Sequence, residues 1–116
     1  MNGAPRVYVL DDLIAKPGEG RALLDAYMAD YAPGARARGM TLEHVLVSPP
    51  LWMDDQPNTI SITWSVAGAA GWWAMRHAAG ADPGTTAFWE AVSDRLLGRA
   101  RRFAAAPGDV EALGHG

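Results

Sequence analysis

Apolar and polar positions change their spacing several times along the chain, and each change marks an element. Arg6 to Leu13 (RVYVLDDL) is β-branched and aromatic before it runs into two aspartates, which predicts a first strand. Lys16 to Gly20 (KPGEG) is turn chemistry. Beyond it Leu23, Leu24, Tyr27, Met28 and Tyr31 recur with the helical period, and Asp25 and Asp30 fall off that apolar stripe. Pro33-Gly34 is expected to kink or interrupt the helix, and Gly39 to end it. Met40 to Ser48 and Asn58 to Val66 then alternate with the strand period, which predicts an antiparallel hairpin. In the first of these Leu42, His44 and Leu46 fall on one side. In the second Ile60, Ile62, Trp64 and Val66 share a face. The intervening PPLWMDDQP, rich in proline, continues neither strand and leaves Trp52 and Met53 looking exposed.

Gly68 to Ala79 predicts a short helix carrying Trp72, Trp73, Met75 and Arg76. Asp82 as N-cap and Pro83 in the first turn open another, on which Phe88, Trp89, Val92 and Leu96 share a face. Gly98 to Ala105 (GRARRFAA) either extends this helix or forms a last strand. The expected organisation is one domain over 1–106 and a flexible, Gly-rich tail over 107–116. The order β-α-β-β-α, with room for a final β, is the ferredoxin-like pattern. It implies an α+β fold, with a four-stranded antiparallel sheet and helices on one face. The bare face needs a cover, and a second copy of the chain is the simplest one, so a homodimer is expected.

Composition narrows the function classes. A chain of 116 residues fits one domain, and 49% hydrophobic with 20% charged residues describes a folded protein. The formal charge is −3 and no basic run is interleaved with aromatics, so no nucleic-acid partner is expected. No apolar stretch approaches the roughly eighteen residues of a membrane span. The opening MNGAPR lacks the pattern of a secretory leader, and there is no cysteine. The expectation is a soluble, cytoplasmic protein. Heavy use of Ala and Gly, with Arg in place of Lys, points to a GC-rich bacterial source.

Five tryptophans are many for this length. Trp64 shares its strand face with isoleucines, while Trp72, Trp73 and Trp89 sit on helices that should pack over such a sheet. Read functionally, they wall an apolar cleft for an aromatic or polyketide-like ligand, with Tyr27 and Tyr31 adding two phenols one turn apart. Read structurally, all of these fill the core and the dimer interface. Trp72 and Trp73 lie about 100° apart on a helix, so both cannot face the sheet. His44, mid-strand between leucines, is a candidate general base or a buried, hydrogen-bonded histidine. His77 is a second candidate base, or a partner for the end of its helix. Arg76, beside the tryptophans, suits a carboxylate or a developing enolate. Arg95, Arg99, Arg101 and Arg102 read as a solvated or interface set. Asp11-Asp12 and Asp54-Asp55 make no metal site, because adjacent strand residues point to opposite faces and no third ligand accompanies them. Neither PGEG nor GAAG has a phosphate-loop pattern.

From Asp11 to about Ala106 the chain resembles a NIPSNAP-type member of the dimeric α/β-barrel superfamily. The resemblance rests on the KPG turn, the tyrosine-bearing helix broken near APGARARG, the NTISITW strand and the FWEAV…RARRF segment. It implies that Arg99 to Ala105 is the fourth strand. That superfamily includes cofactor-independent monooxygenases, haem-degrading enzymes, isomerases, decarboxylases and members with no known activity, so the resemblance alone fixes no reaction. Its haem-degrading branch uses an Asn on the first strand, a Trp on the third and a His on the next helix. Trp64 and His77 occupy comparable elements here, but the first strand has Asp11 and Asp12 and no Asn.

Three functional expectations follow. The first is a small enzyme without metal or cofactor, acting on a hydrophobic, aromatic or polyketide-like metabolite as a monooxygenase, isomerase or lyase. His44 or His77 would be the base, Arg76 the anion stabiliser, and Tyr27, Tyr31, Trp64, Trp72, Trp73 and Trp89 the walls. The second is a non-catalytic dimeric ligand-binding or interaction protein. The third is a haem-binding or haem-degrading protein.

Overall fold

The β-branched and aromatic run near the N-terminus forms strand β1 (Arg6–Ala15), extending past the two aspartates. The computed structural model describes residues 5–115. Residues 1–4 and 116, which the expected domain and tail include, lie outside the described residues, as does the side chain of His115.

Helix α1 (Gly20–Ala26) runs through a π-helical turn (Tyr27–Tyr31) into α2 (Ala32–Ala37). Pro33 was the expected break. A proline lacks an N–H and crowds the carbonyl four residues back. The wider turn, in which the Ala32 N–H reaches Tyr27 O five residues back, carries the helix past Pro33 without interruption. Gly39, at φ 91°, then ends it as expected.

Strands β2 (Thr41–Ser48) and β3 (Asn58–Ala67) pair antiparallel, with one departure from simple alternation. A bulge sets Leu42 opposite Trp64, His44 opposite Thr63 and Val45 opposite Ile62. The extra residue reverses which face the side chains meet. Leu42 therefore joins Val45 against the core, while His44 and Leu46 lie on the other face. The expected grouping of Leu42 with His44 and Leu46 is corrected by this bulge.

Helices α3 (Gly68–Ala81) and α4 (Pro83–Ala91) meet at Asp82, whose carboxylate accepts the Gly84 N–H at 2.8 Å as an N-cap. A short 3₁₀ turn (Ser93–Arg95) leads into β4 (Leu96–Ala104). Leu96, expected to continue the face of Phe88 and Trp89, begins this strand instead. Pro107–His115, where the sequence predicts no element, forms helix α5.

The sheet order is β2-β3-β1-β4, all antiparallel, which is the ferredoxin-like arrangement. On the helix side Val9, Leu13, Ile60, Ile62 and Trp64 pack against Leu23, Tyr27, Met75 and Phe88, all buried. Each large apolar side chain so buried stabilises the fold by roughly 1.5–3 kcal/mol. On the other face Ile14 and Leu46 stand exposed. Among the described residues no helix is long and apolar enough to cross a membrane.

Candidate functional site

Sheet register brings together two residues ninety positions apart. On the helix side, Asp11 of β1 stands opposite Arg101 of β4. The carboxylate is only 3% exposed, and a buried charge of this kind is costly unless every oxygen is bonded. Here both are. Asp11 Oδ1 accepts Arg101 Nε at 2.6 Å, and Oδ2 accepts Arg101 Nη2 at 2.8 Å and the Tyr27 hydroxyl at 2.9 Å. The Tyr27 oxygen in turn accepts Trp64 Nε1 at 2.6 Å, and Arg101 Nη2 also donates to the Tyr31 oxygen at 2.8 Å.

Two titrations respond to this packing. Burial, and then the negative charge of Asp11, push the Tyr27 phenol far above its ordinary range. Burial alone would lower the Arg101 guanidinium. The hydrogen bonds and charge of Asp11 overcome it, so Arg101 is held more firmly protonated than a free arginine.

Strand alternation puts Arg99, Arg101 and Phe103 on the helix-facing side of β4, and each meets an aromatic ring. The Arg99 guanidinium lies 3.9 Å from the Trp89 ring centre, and Arg101 lies 5.8 Å from that of Tyr31. Phe103 meets Trp72 edge-on at 5.4 Å, with Arg76 5.2 Å from the Trp72 ring and 5.3 Å from that of Phe103. Cation–π contacts of this kind contribute about 0.5–2 kcal/mol, more where water is excluded. Between α4 and β4 an open cleft of about 540 Å³ is lined by Thr85, Trp89, Glu90, Ser93, Arg99 and Arg101, two guanidinium groups against one carboxylate. Trp89, on its wall, belongs to a packed cluster with Tyr27, Tyr31 and Phe88, with ring centres 4.8–6.4 Å apart.

The structure separates the residues singled out from the sequence into groups. Trp89 lines the cleft. Tyr27 and Trp64 are wholly buried and Tyr31 nearly so; none of the three lines the cleft, and they are joined by the Asp11 network. Trp72 and Trp73 line a different, apolar hollow beside α5, where Trp73 is 62% exposed. Arg76 borders the space between Phe103 and Arg101.

The histidines go elsewhere. His44 is exposed on the opposite sheet face, 3.2 Å from Thr63 Oγ1. His77 is exposed and lies about 200° around α3 from the buried Met75, on the outer side of that helix. Neither shares a space with Arg76 and the tryptophans. The residues present do not fit haem either, since Trp64 is buried and bonded to Tyr27 while His77 faces outward. Among the described residues no three His, Cys, Asp or Glu side chains converge to hold a metal ion.

No local sequence pattern marks Asp11, Arg99 and Arg101 as a site. Arg101 was expected in a solvated or interface set, but its side chain is only 24% exposed. The one signal that finds it is the β1–β4 register, which requires the fourth strand to be placed first.

An antiparallel β2-β3-β1-β4 sheet with helices on one face, and an arginine–aromatic cleft against its edge strand, defines a ferredoxin-like α+β domain. Solved structures share that architecture. An uncharacterised NIPSNAP domain protein from Burkholderia xenovorans superposes with a TM-score of 0.68, covering 86% of this chain and 93% of its own at 14% identity. A NIPSNAP family protein of unknown function from Agrobacterium tumefaciens gives 0.68 over 90% and 91%, also at 14% identity. A candidate antibiotic biosynthesis monooxygenase from Nitrosomonas europaea gives 0.63 over 92% and 95% at 10% identity. The chain therefore has a NIPSNAP-like, ferredoxin-like fold, as the resemblance in its sequence implies. No family model matches the sequence, and no curated protein matches it.

Proposed function

We propose that the chain is a small cytoplasmic, homodimeric enzyme, working without metal or cofactor, that acts on a flat, anionic aromatic or polyketide-like metabolite in the α4–β4 cleft. The observation that carries this reading is the pairing of Arg99 with Trp89 at 3.9 Å beside an Arg101 whose position is already fixed. A conjugated ring fits against Trp89, and its carboxylate or enolate oxygen fits the guanidinium groups. Arg101, held by Asp11 and Tyr31, needs no reorganisation when negative charge develops on the substrate. The reaction class is one open to a substrate that enters already ionised as its enolate or phenolate, its proton left in solvent: isomerisation, lysis, or attack of the carbanion on dioxygen, which is then the oxidant. Candidate antibiotic biosynthesis monooxygenases of the same fold, from Nitrosomonas europaea and Caulobacter crescentus, support the oxygenase member of that set. The dimer forms through the bare sheet face, where Ile14 and Leu46 are exposed. Sedimentation then gives twice the protomer mass for the native chain and the protomer mass for Leu46→Arg.

A second reading, a dimer that binds such a ligand without turnover, is favoured by the placement of both histidines outside the cleft. Titration with hydroxynaphthoate, followed by tryptophan quenching and by oxygen uptake, separates the two. Saturable quenching that weakens about tenfold in Arg99→Gln supports the cleft. Quenching without product from any enolisable probe selects the binding protein, and no quenching at millimolar probe removes both.

A further inference from the structure

Three hollows lie in series along β4. The cleft at Trp89 shares Arg101 with a second hollow of about 410 Å³ at Met75 and Arg76. That one shares Phe103 with a third, of about 400 Å³, between Trp72 and the Val110 and Leu113 side chains of α5. Each is within the size range of small-molecule sites, roughly 300–1,000 Å³. A strand rises about 3.3 Å per residue, so Arg99 to Phe103 spans about 13 Å, too long for a single ring.

The chemistry changes along that line. Arg99, Arg101 and Arg76 border the first two hollows and outnumber the one carboxylate there, Glu90, while apolar side chains dominate the third. Trp72 supplies one polar exception. Its Nε1–H is shielded from solvent and has no acceptor among the described residues. A shielded donor without a partner is costly, and a ligand oxygen would relieve that cost.

We infer that the three hollows form one elongated site for an amphipathic anion. Its carboxylate or enolate head lies at Arg99 and Arg101, its apolar body passes Phe103, and an oxygen at its far end accepts from Trp72. Helix α5 closes the far end and sets the length accepted. This inference rests on the reading of the α4–β4 cleft as the substrate site.

Isothermal titration of the full chain with three probes tests it: hydroxynaphthoate for the head alone, laurate for head and body, and laurate hydroxylated on its terminal carbon. Val110→Trp fills the far hollow from an exposed position on α5. It weakens both long probes at least about tenfold and leaves hydroxynaphthoate unchanged. Trp72→Phe weakens the hydroxylated probe about fivefold, the worth of one hydrogen bond, and spares plain laurate. Should Val110→Trp fold poorly, Leu113→Trp makes the same test. Long probes indifferent to either substitution overturn the elongated site, even with hydroxynaphthoate still bound. A change of sedimenting mass in Val110→Trp in place of a change in affinity also overturns it, by showing that a second chain fills the hollow. Hydroxynaphthoate failing to bind the native chain overturns the cleft itself.

Discussion

Asp11 and Asp12 are consecutive in the chain and face opposite sides of one sheet, and they live in different physical worlds. Asp11, on the helix side, is buried and bonded by a guanidinium at both oxygens and by the Tyr27 phenol. Asp12, on the bare side, is half-buried and accepts one hydroxyl, Ser61 Oγ, at 2.8 Å. The residue type is the same and so is the strand. What differs is the dielectric surroundings, and with them the cost of losing a partner.

Removing each aspartate in turn is the most direct way to break that contrast. Asp11→Ala leaves a largely buried guanidinium without its anion, and urea unfolding should show a loss of about 3–5 kcal/mol. A loss below about 1 kcal/mol would mean that Arg101 finds solvent without difficulty. Next comes Arg101→Lys, which keeps the charge but replaces a two-pronged bond by a single point, at about 1–3 kcal/mol. The alkaline limb follows. Tyr27 keeps its proton in the folded chain at a pH where an unfolded tyrosine, at its ordinary 10.0, loses it. The folded value is raised, so the stability it contributes is complete below pH 10 and falls above it by about 1.4 kcal/mol per pH unit. The ultraviolet tyrosinate band should therefore lack the Tyr27 contribution until the chain unfolds, and Tyr27→Phe should flatten the limb. Smallest is Asp12→Ala, expected within about 1 kcal/mol of the native chain, since one hydrogen bond to a half-buried group is at stake. A larger loss would show that the bare face is covered in the protein as tested.

The parts of the fold written in local pattern were legible. The clean alternation of β3, the KPG turn and the Asp82-Pro83 helix start are each set by neighbours a few residues away. Two local features escaped because they break the period on which the reading depends: the π-helical turn at Tyr27–Tyr31 and the bulge after Leu42. Each inserts one residue, and one residue is enough to move His44 to the other face of the sheet. The fourth strand is legible only by resemblance, since its Arg- and Ala-rich residues carry little strand preference of their own. The site was the least legible part. Tyr27, Tyr31 and Trp89 stood out by type, but the Asp11–Arg101 pair joins opposite ends of the chain and leaves no trace in either local sequence.

Strand β4 also has an open flank, being last in the order β2-β3-β1-β4. Unpaired N–H and C=O groups along such a flank invite another chain to add a strand, and natural proteins resist this with charge. Here Arg99, Arg101 and Arg102 fall within four residues of that strand, on both of its faces. Two such strands laid side by side would set guanidinium against guanidinium, with no acidic residue in β4 to relieve them. The same arginines that shape the cleft thus guard the protein against runaway fibril-like stacking. A substitution made there to alter ligand choice is best watched for turbidity as well as for affinity.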